Sequence, residues 1–246
     1  AHTAHTPDYW TSIHRPIVAF DRVLGEGIPS VGSDHEQGGR LIADLLIRTG
    51  ARHVVMIGGP RDQFFDLAAR GEVEDVFDLE KTTFPTVRYY LTLEQELMKA
   101  GIRYEYVEAG EVMDFDGYRR AVGETLDRVG PDGVDAVVSS DIGASFCVRE
   151  ALRRGIAIPQ DLQIVAYDGT YLTDLAGMKT TAVVQDFVAI TQTVDDHITQ
   201  AIAADAAAAK ASLRKDDNPF EPSVLIPVTL ALGDTTRAVS AAADHS

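Results

Sequence analysis

Polar side chains recur where apolar runs stop. Asp21-Arg22 follows the run 16–20, and Gly58-Gly59-Pro60 closes the run 53–58. Ser139-Ser140-Asp141 ends a run that starts at Ala136, Asp168-Gly169-Thr170 one that starts at Leu162, and Gln185-Asp186-Phe187 one that starts at Thr181. If these runs are parallel strands, their carboxyl ends share one edge, the edge at which open α/β sheets bind ligands. Carboxylates and a carboxamide there can hold the hydroxyls of a polyhydroxylated molecule, and an aromatic ring supplies an apolar face for stacking. Taken singly, each aspartate could equally be a helix N-cap or a turn former, Asp141 and Asp186 above all. Their coincidence at strand ends favours a binding cleft.

Other chemistries lack their motifs. No G-x-G-x-x-G or G-x-x-x-x-G-K-[ST] phosphate loop occurs, which argues against a dinucleotide or P-loop enzyme. A nucleophile elbow G-x-S-x-G and a zinc helix H-E-x-x-H are absent too. Asp114-Phe-Asp116-Gly117 lacks the remaining ligands of a calcium loop, and Asp78-x-Glu80 does not follow a buried strand as an aspartyl-phosphate nucleophile would. His2, His5 and His14 stand in a polar segment without a carboxylate at ligand spacing, so solvated histidines are expected there rather than a metal site. The expectation is a binding protein without cofactor, not an enzyme.

The elements that must position the strand ends alternate. Strands are expected at 16–20, 29–32, 53–58, 103–108, 136–139, 162–167, 181–185 and 224–232. Several are apolar at consecutive positions, as in strands covered on both faces. Helices are expected at 36–49, 87–100, 116–129, 142–154 and 187–206. In the first, Leu41, Leu45 and Ile42, Leu46 recur at i, i+4; Asp34 suits its N-cap and Gly50 its left-handed C-cap. Asp141 and Gly155 are expected to play the same two parts around the fourth. The order βαβα implies an α/β fold with open parallel sheets and helices on both sides. Two stretches break the rhythm: an acidic insertion at 61–85, expected to form a lid or an extra helix, and an Ala-rich then polar connector at 203–222.

Composition bounds the class. The 246 residues hold 22 Lys+Arg and 38 Asp+Glu, a net charge of −16. Such a surface repels nucleic-acid phosphates, whose binding rests on Lys and Arg. Apolar runs fall short of the roughly 20 residues that span a bilayer. Cys147, the single cysteine, rules out a disulfide framework. The chain opens on Ala1 rather than Met and resembles neither a signal nor a transit peptide there, so a longer protein is expected.

Several of these segments, in order, resemble the effector-binding part of the lactose-repressor/galactose-repressor (LacI/GalR) regulators. They are Pro16-Ile-Val-Ala-Phe-Asp21-Arg22, Ile28-Pro-Ser-Val-Gly-Ser-Asp34 with Gly38-Gly39, and the strand ending Ile57-Gly58-Gly59-Pro60. Asp135-Ala-Val-Val-Ser-Ser-Asp141 with Glu150-Ala-Leu-Arg-Arg-Gly155, and the stretch from Ile158-Pro159 to Tyr167-Asp168, continue the likeness. Lys179-Thr180-Thr181 with Gln185-Asp186, and Leu225-Ile-Pro to Thr235-Thr236, complete it. The closing segment departs from the family pattern in lacking the usual arginine after Gly233-Asp234, and Gly169 replaces a frequent polar residue.

The resemblance implies a periplasmic-binding-protein-like type I fold: two Rossmann-like α/β subdomains with parallel sheets, joined by three crossovers, around a ligand cleft. Residues 1–33 and 187–221 would form one subdomain, and 34–186 with 222–237 the other. It implies that Asp21, Ser140 or Asp141, Asp168 and Phe187 contact the effector, with Gln185 beside them. Arg88 is the nearest match to a family arginine, one position out of register. A small-molecule effector, a sugar by default, would bind a cytoplasmic homodimer that reaches operator DNA through a headpiece upstream of Ala1. The rival with the same fold is the sugar-binding protein of a transporter, which a signal peptide would distinguish.

Overall fold

The computed structural model describes residues 16–21, 28–59, 85–110, 114–211 and 223–239. The expected insertion at 61–85, His2, His5 and His14, and the connector after Ala211 therefore lie almost wholly outside the described residues. Two sheets account for the strands. The smaller holds β1 (Ala19–Phe20), β2 (Ser30–Ser33) and β8 (Ser223–Ile226), all parallel, in the order β1-β2-β8. The larger holds β3 (His53–Gly58), β4 (Arg103–Glu108), β5 (Ala136–Ser140), β6 (Gln163–Asp168), β7 (Thr181–Val184) and β9 (Thr229–Ala231). Its order is β4-β3-β5-β6-β7-β9, parallel except for β9, which runs antiparallel to β7.

Side-chain alternation along the larger sheet explains its two helical layers. Val55, Ile57, Val137, Ile164 and Ala166 face α3 (Phe115–Leu126) and α4 (Asp141–Arg154), in a core that includes Tyr118, Val122, Cys147 and Val148. Val54, Met56, Val138, Val165 and Tyr167 face α1 (His35–Arg48) and α2 (Pro85–Lys99), in a core with Ile42, Leu46, Tyr89, Leu93 and Leu97. Both faces are dry, hence the consecutive apolar residues in β3 and β5. Gly39 lets α1 and α2 touch: a Cβ there would lie 2.8 Å from the Tyr89 carbonyl oxygen.

Three crossovers join the sheets: β2 into α1, β7 into α5 (Phe187–Ala211), which packs on β2, and β8 into β9. The last corrects the expected single strand at 224–232. Pro227 has no amide hydrogen to donate to a ladder, and the chain leaves the smaller sheet there and re-enters the larger one at Thr229. The crossing therefore falls after Ile226, not at 222. The first strand is also shorter than the expected 16–20.

The helix ends follow their residues. Asp34 caps α1 by accepting from the Gln37 amide at 2.9 Å, and Gly50 follows at φ 70°. The fourth helix is capped by Ser140 rather than Asp141, its hydroxyl facing the Gly143 amide at 3.5 Å, and it ends on left-handed Gly155. The arginine missing before Thr235 has a counterpart after it: Arg237 reaches buried Asp135 Oδ2 at 3.3 Å and the Gly50 and Pro159 carbonyls. That clamp fixes the segment around Arg237 beside Asp135, Gly50 and Pro159.

Candidate ligand-binding site

Asp21 and Asp168 are the only non-glycine residues at positive φ among the described residues, at 49° and 106°. Each follows or ends a strand, β1 and β6 respectively. Left-handed backbone at an L residue persists only where its surroundings enforce it, and such strain concentrates at functional sites.

The Asp168 carboxylate is held from β7. Gln185 Nε2 donates to Asp168 Oδ1 at 2.7 Å, while Gln185 Oε1 accepts from the Ser33 hydroxyl at 2.6 Å. One carboxamide thus ties the end of β2, in the smaller sheet, to the end of β6, in the larger. Gln185 is 9% exposed, so neither bond is traded with water. Burial, with the negative charges of Asp141 and Asp21 behind it, pushes the Asp168 carboxyl up to about 7; the Gln185 bond opposes this in part. Gly169, at φ 67°, lies so close to Val184 that a Cβ would meet its backbone at 2.7 Å, which brings β6 and β7 together just past their ends.

Asp21 is gripped from two sides. Its Oδ1 receives the Ser33 amide at 3.3 Å and His35 Nε2 at 3.0 Å. Its side chain is 29% exposed, and no partner of its second oxygen is seen among the described residues.

Asp141 turns toward the loop after β6. It is 2% exposed, and its oxygens accept from the Gly169 amide at 3.2 Å and the Thr170 amide at 2.5 Å. The carboxylate shapes the loop after β6 instead of presenting itself to solvent; burial raises its pKa despite those bonds. Ser140 is half-buried, and burial raises the Tyr118 phenol above its ordinary value. Phe187 opens α5 with its ring 43% exposed, and Phe20 ends β1 at 51%. Asp186 takes the helix-cap reading: it accepts from the Ala189 amide at 2.8 Å.

The structure thus brings Asp21, Asp168 and Gln185 to one junction between the sheets, with Asp141 behind Asp168. Arg88 lies on the first turn of α2, its Nη1 3.8 Å from Glu36 Oε1 on α1, next to His35 in sequence. Sequence reasoning missed Ser33, His35 and Tyr167. Each adjoins or nearly adjoins a residue already singled out, but nothing in the pattern marks a buried histidine bonded to a tyrosine 132 positions away. No group of three or more His, Cys, Asp or Glu side chains among the described residues is placed to hold a metal ion. Cys147 is buried in the α4 core, its thiol pushed up to about 12, so it is a packing residue and no nucleophile.

Residues 43–236 match the family model of the periplasmic binding protein-like domain. The sucrose operon repressor of Streptococcus mutans serotype c is 28% identical over 167 residues, 68% of this chain and 44% of that protein. The HTH-type transcriptional regulator CelR of Thermobifida fusca is 31% identical over 176 residues, 69% of this chain and 45% of that protein. The chain spans under half the length of these two relatives in those matches. Among solved structures, the periplasmic binding protein/LacI transcriptional regulator of Alkaliphilus metalliredigens QYMF, complexed with D-xylulofuranose, superposes with a TM-score of 0.70. At 19% identity, over 94% of this chain and 74% of that one, the likeness establishes the fold. The chain belongs to the periplasmic binding protein-like domain family, in the form that LacI/GalR regulators carry.

Proposed function

We propose that this chain is the effector-sensing and dimerisation module of a LacI/GalR-type transcriptional regulator, and that its ligand is a small polyhydroxylated molecule, a sugar, held where the two sheets meet. The observation that carries this reading is the pair of strained carboxylates, Asp21 and Asp168, each at a strand end: Asp21 bonds His35 at the start of α1, and Asp168 bonds Gln185, whose other end reaches Ser33 of the smaller sheet. Asp168, Asp21 and Gln185 would hold ligand hydroxyls, Phe187 would stack on the ring face, and Ser140 and Arg88 would line the rim. The residues grouped around the two sheets become subdomains 16–33 with 187–226, and 34–186 with 227–237.

The mechanism follows from the crossovers. A ligand that bonds both carboxylates favours whichever arrangement of the two sheets satisfies both, and it shifts the equilibrium by its difference in affinity for the two arrangements. In a homodimer, that shift changes the spacing of DNA-binding headpieces upstream of the chain. The acidic surface then repels DNA only locally, since the headpieces carry the phosphate contacts. The relatives are named as operon repressors and a transcriptional regulator, which favours this reading over a transporter's solute-binding protein. It also favours a non-enzymatic, cytoplasmic protein. No helix among the described residues is long and apolar enough to cross a membrane.

The test is a thermal-shift panel on the 246-residue chain with D-ribose, sucrose, cellobiose, other mono- and disaccharides, and nucleosides. A rise in melting temperature with one sugar class supports the proposal, since ligands that bind only the folded state stabilise it. A rise with nucleosides alone would reassign the effector, and no rise with any member would remove the small-molecule reading.

A further inference from the structure

His35 is the first residue of α1, in the first crossover, and only 3% exposed. Its ring spans both sheets. Nε2 lies 3.0 Å from Asp21 Oδ1 and Nδ1 lies 2.7 Å from the Tyr167 hydroxyl, one residue before Asp168. A carboxylate only accepts, so Nε2 carries the proton directed at Asp21, and in the neutral ring Nδ1 accepts the Tyr167 O–H. Burial holds the Tyr167 phenol well above its ordinary pKa, so that proton stays in place. The ring also stacks on Tyr167 (centroids 5.7 Å, 24°), and Tyr167 in turn on Tyr89 (3.9 Å, 14°).

Two glycines clear both ends of this chain. A Cβ on Gly32 would lie 2.7 Å from Asp21 Oδ1, and one on Gly38 would lie 2.7 Å from the Tyr167 hydroxyl. No side chain larger than hydrogen fits at either place without displacing the group that His35 bonds. The route Tyr167–His35–Asp21 is therefore built at both termini.

We propose that His35 is a positioning residue of the cleft: anchored by Tyr167, it orients the Asp21 carboxylate so that its second oxygen faces the ligand, without touching the ligand itself. This rests on the sugar-binding reading above. It makes ligand affinity depend on a buried donor whose other partner adjoins Asp168, so the two carboxylates are aligned by one connected set of bonds.

The test has two arms. In the first, calorimetry with the sugar of the panel that binds the wild-type chain compares His35→Leu with His35→Gln. Leucine fills the space without a donor, and glutamine places an N–H close to where Nε2 stands. The expected result is a loss of about tenfold or more for His35→Leu, as for a bond to a charged group, and recovery to within about threefold for His35→Gln. Equal affinities in all three chains, or equal losses in two folded variants, would overturn the proposal. The second arm needs no ligand: ¹⁵N imidazole spectra of the wild-type chain and of Asp21→Asn. An Nε2–H whose signal shifts in Asp21→Asn supports the proposal, and ring signals unchanged by that substitution overturn it. If no sugar binds the wild-type chain, the effector reading fails and this second arm alone decides the role of His35.

Discussion

Gln185 donates to Asp168 Oδ1 at 2.7 Å with the same carboxamide whose oxygen takes the Ser33 hydroxyl at 2.6 Å. Two sheets are thereby joined through one side chain at the point where the chain passes from β7 to α5. The bond also offsets part of the upward push that burial gives the Asp168 carboxyl. The alignment of the sheets and the protonation of Asp168 meet in this pair.

Replacing the donor should reverse its effect. Gln185→Glu places a second acceptor against Asp168 and keeps an oxygen that accepts from the Ser33 hydroxyl, so it removes only the donor to Asp168. We expect a loss of about 1–3 kcal/mol in urea denaturation at neutral pH. The loss should shrink as pH falls below about 7, where the raised Asp168 carboxyl takes up a proton that can bridge the pair, and grow as pH rises above it.

Asp168 sets the direction of a pH effect. Its folded pKa is raised, to about 7, above the ordinary 3.8 of an unfolded aspartate. Between these values the folded chain binds the extra proton, so the contribution of Asp168 to stability is full below about pH 4 and is lost as pH rises through 7. Asp168→Asn has no such loss. The melting temperature of Asp168→Asn minus that of the wild-type chain should therefore grow between pH 4.5 and pH 8, by about 3 °C or more. A flat difference across that range would show that the carboxyl titrates normally.

Asp141 is predicted to act on stability through the loop after β6. Asp141→Ala leaves the Gly169 and Thr170 amides without their acceptor and should cost about 2 kcal/mol. Asp141→Asn, which keeps an oxygen, should cost less. Chemical denaturation of the two variants beside the wild-type chain distinguishes them.

Phe187→Ala removes a ring that is 43% exposed, so the melting temperature should move by no more than about 2 °C. Affinity for the effector should fall by about tenfold if the ring stacks on it. Titration of the variant with the panel sugar that binds the wild-type chain reads this out.

The strand ends were legible from residue order, because runs buried on both faces are apolar throughout and break at polar residues. Asp21, Asp168 and Gln185 emerge together for that reason. The cap of α4 was misplaced by one residue: Ser140 and Asp141 are both good caps, and only the fold shows that Asp141 is taken by the amides of Gly169 and Thr170. The last strand was read as one element because Val224 to Leu232 is apolar almost throughout; its division at Pro227 depends on which sheet each half meets. His35 and Tyr167 were not legible at all. A contact between residues so far apart in the chain is made by packing α1 against β6, and Gly38, which permits it, reads in sequence as an ordinary glycine of a helix.

The most direct test of the account is a calorimetric titration of the 246-residue chain and of Asp168→Ala with the sugar that gives the largest thermal shift. The account predicts saturable one-site binding to the wild-type chain and a loss of at least about tenfold in Asp168→Ala with the fold retained by circular dichroism. Equal affinity in the two chains would contradict it, because the carboxylate that the whole junction is built to hold would then not touch the ligand.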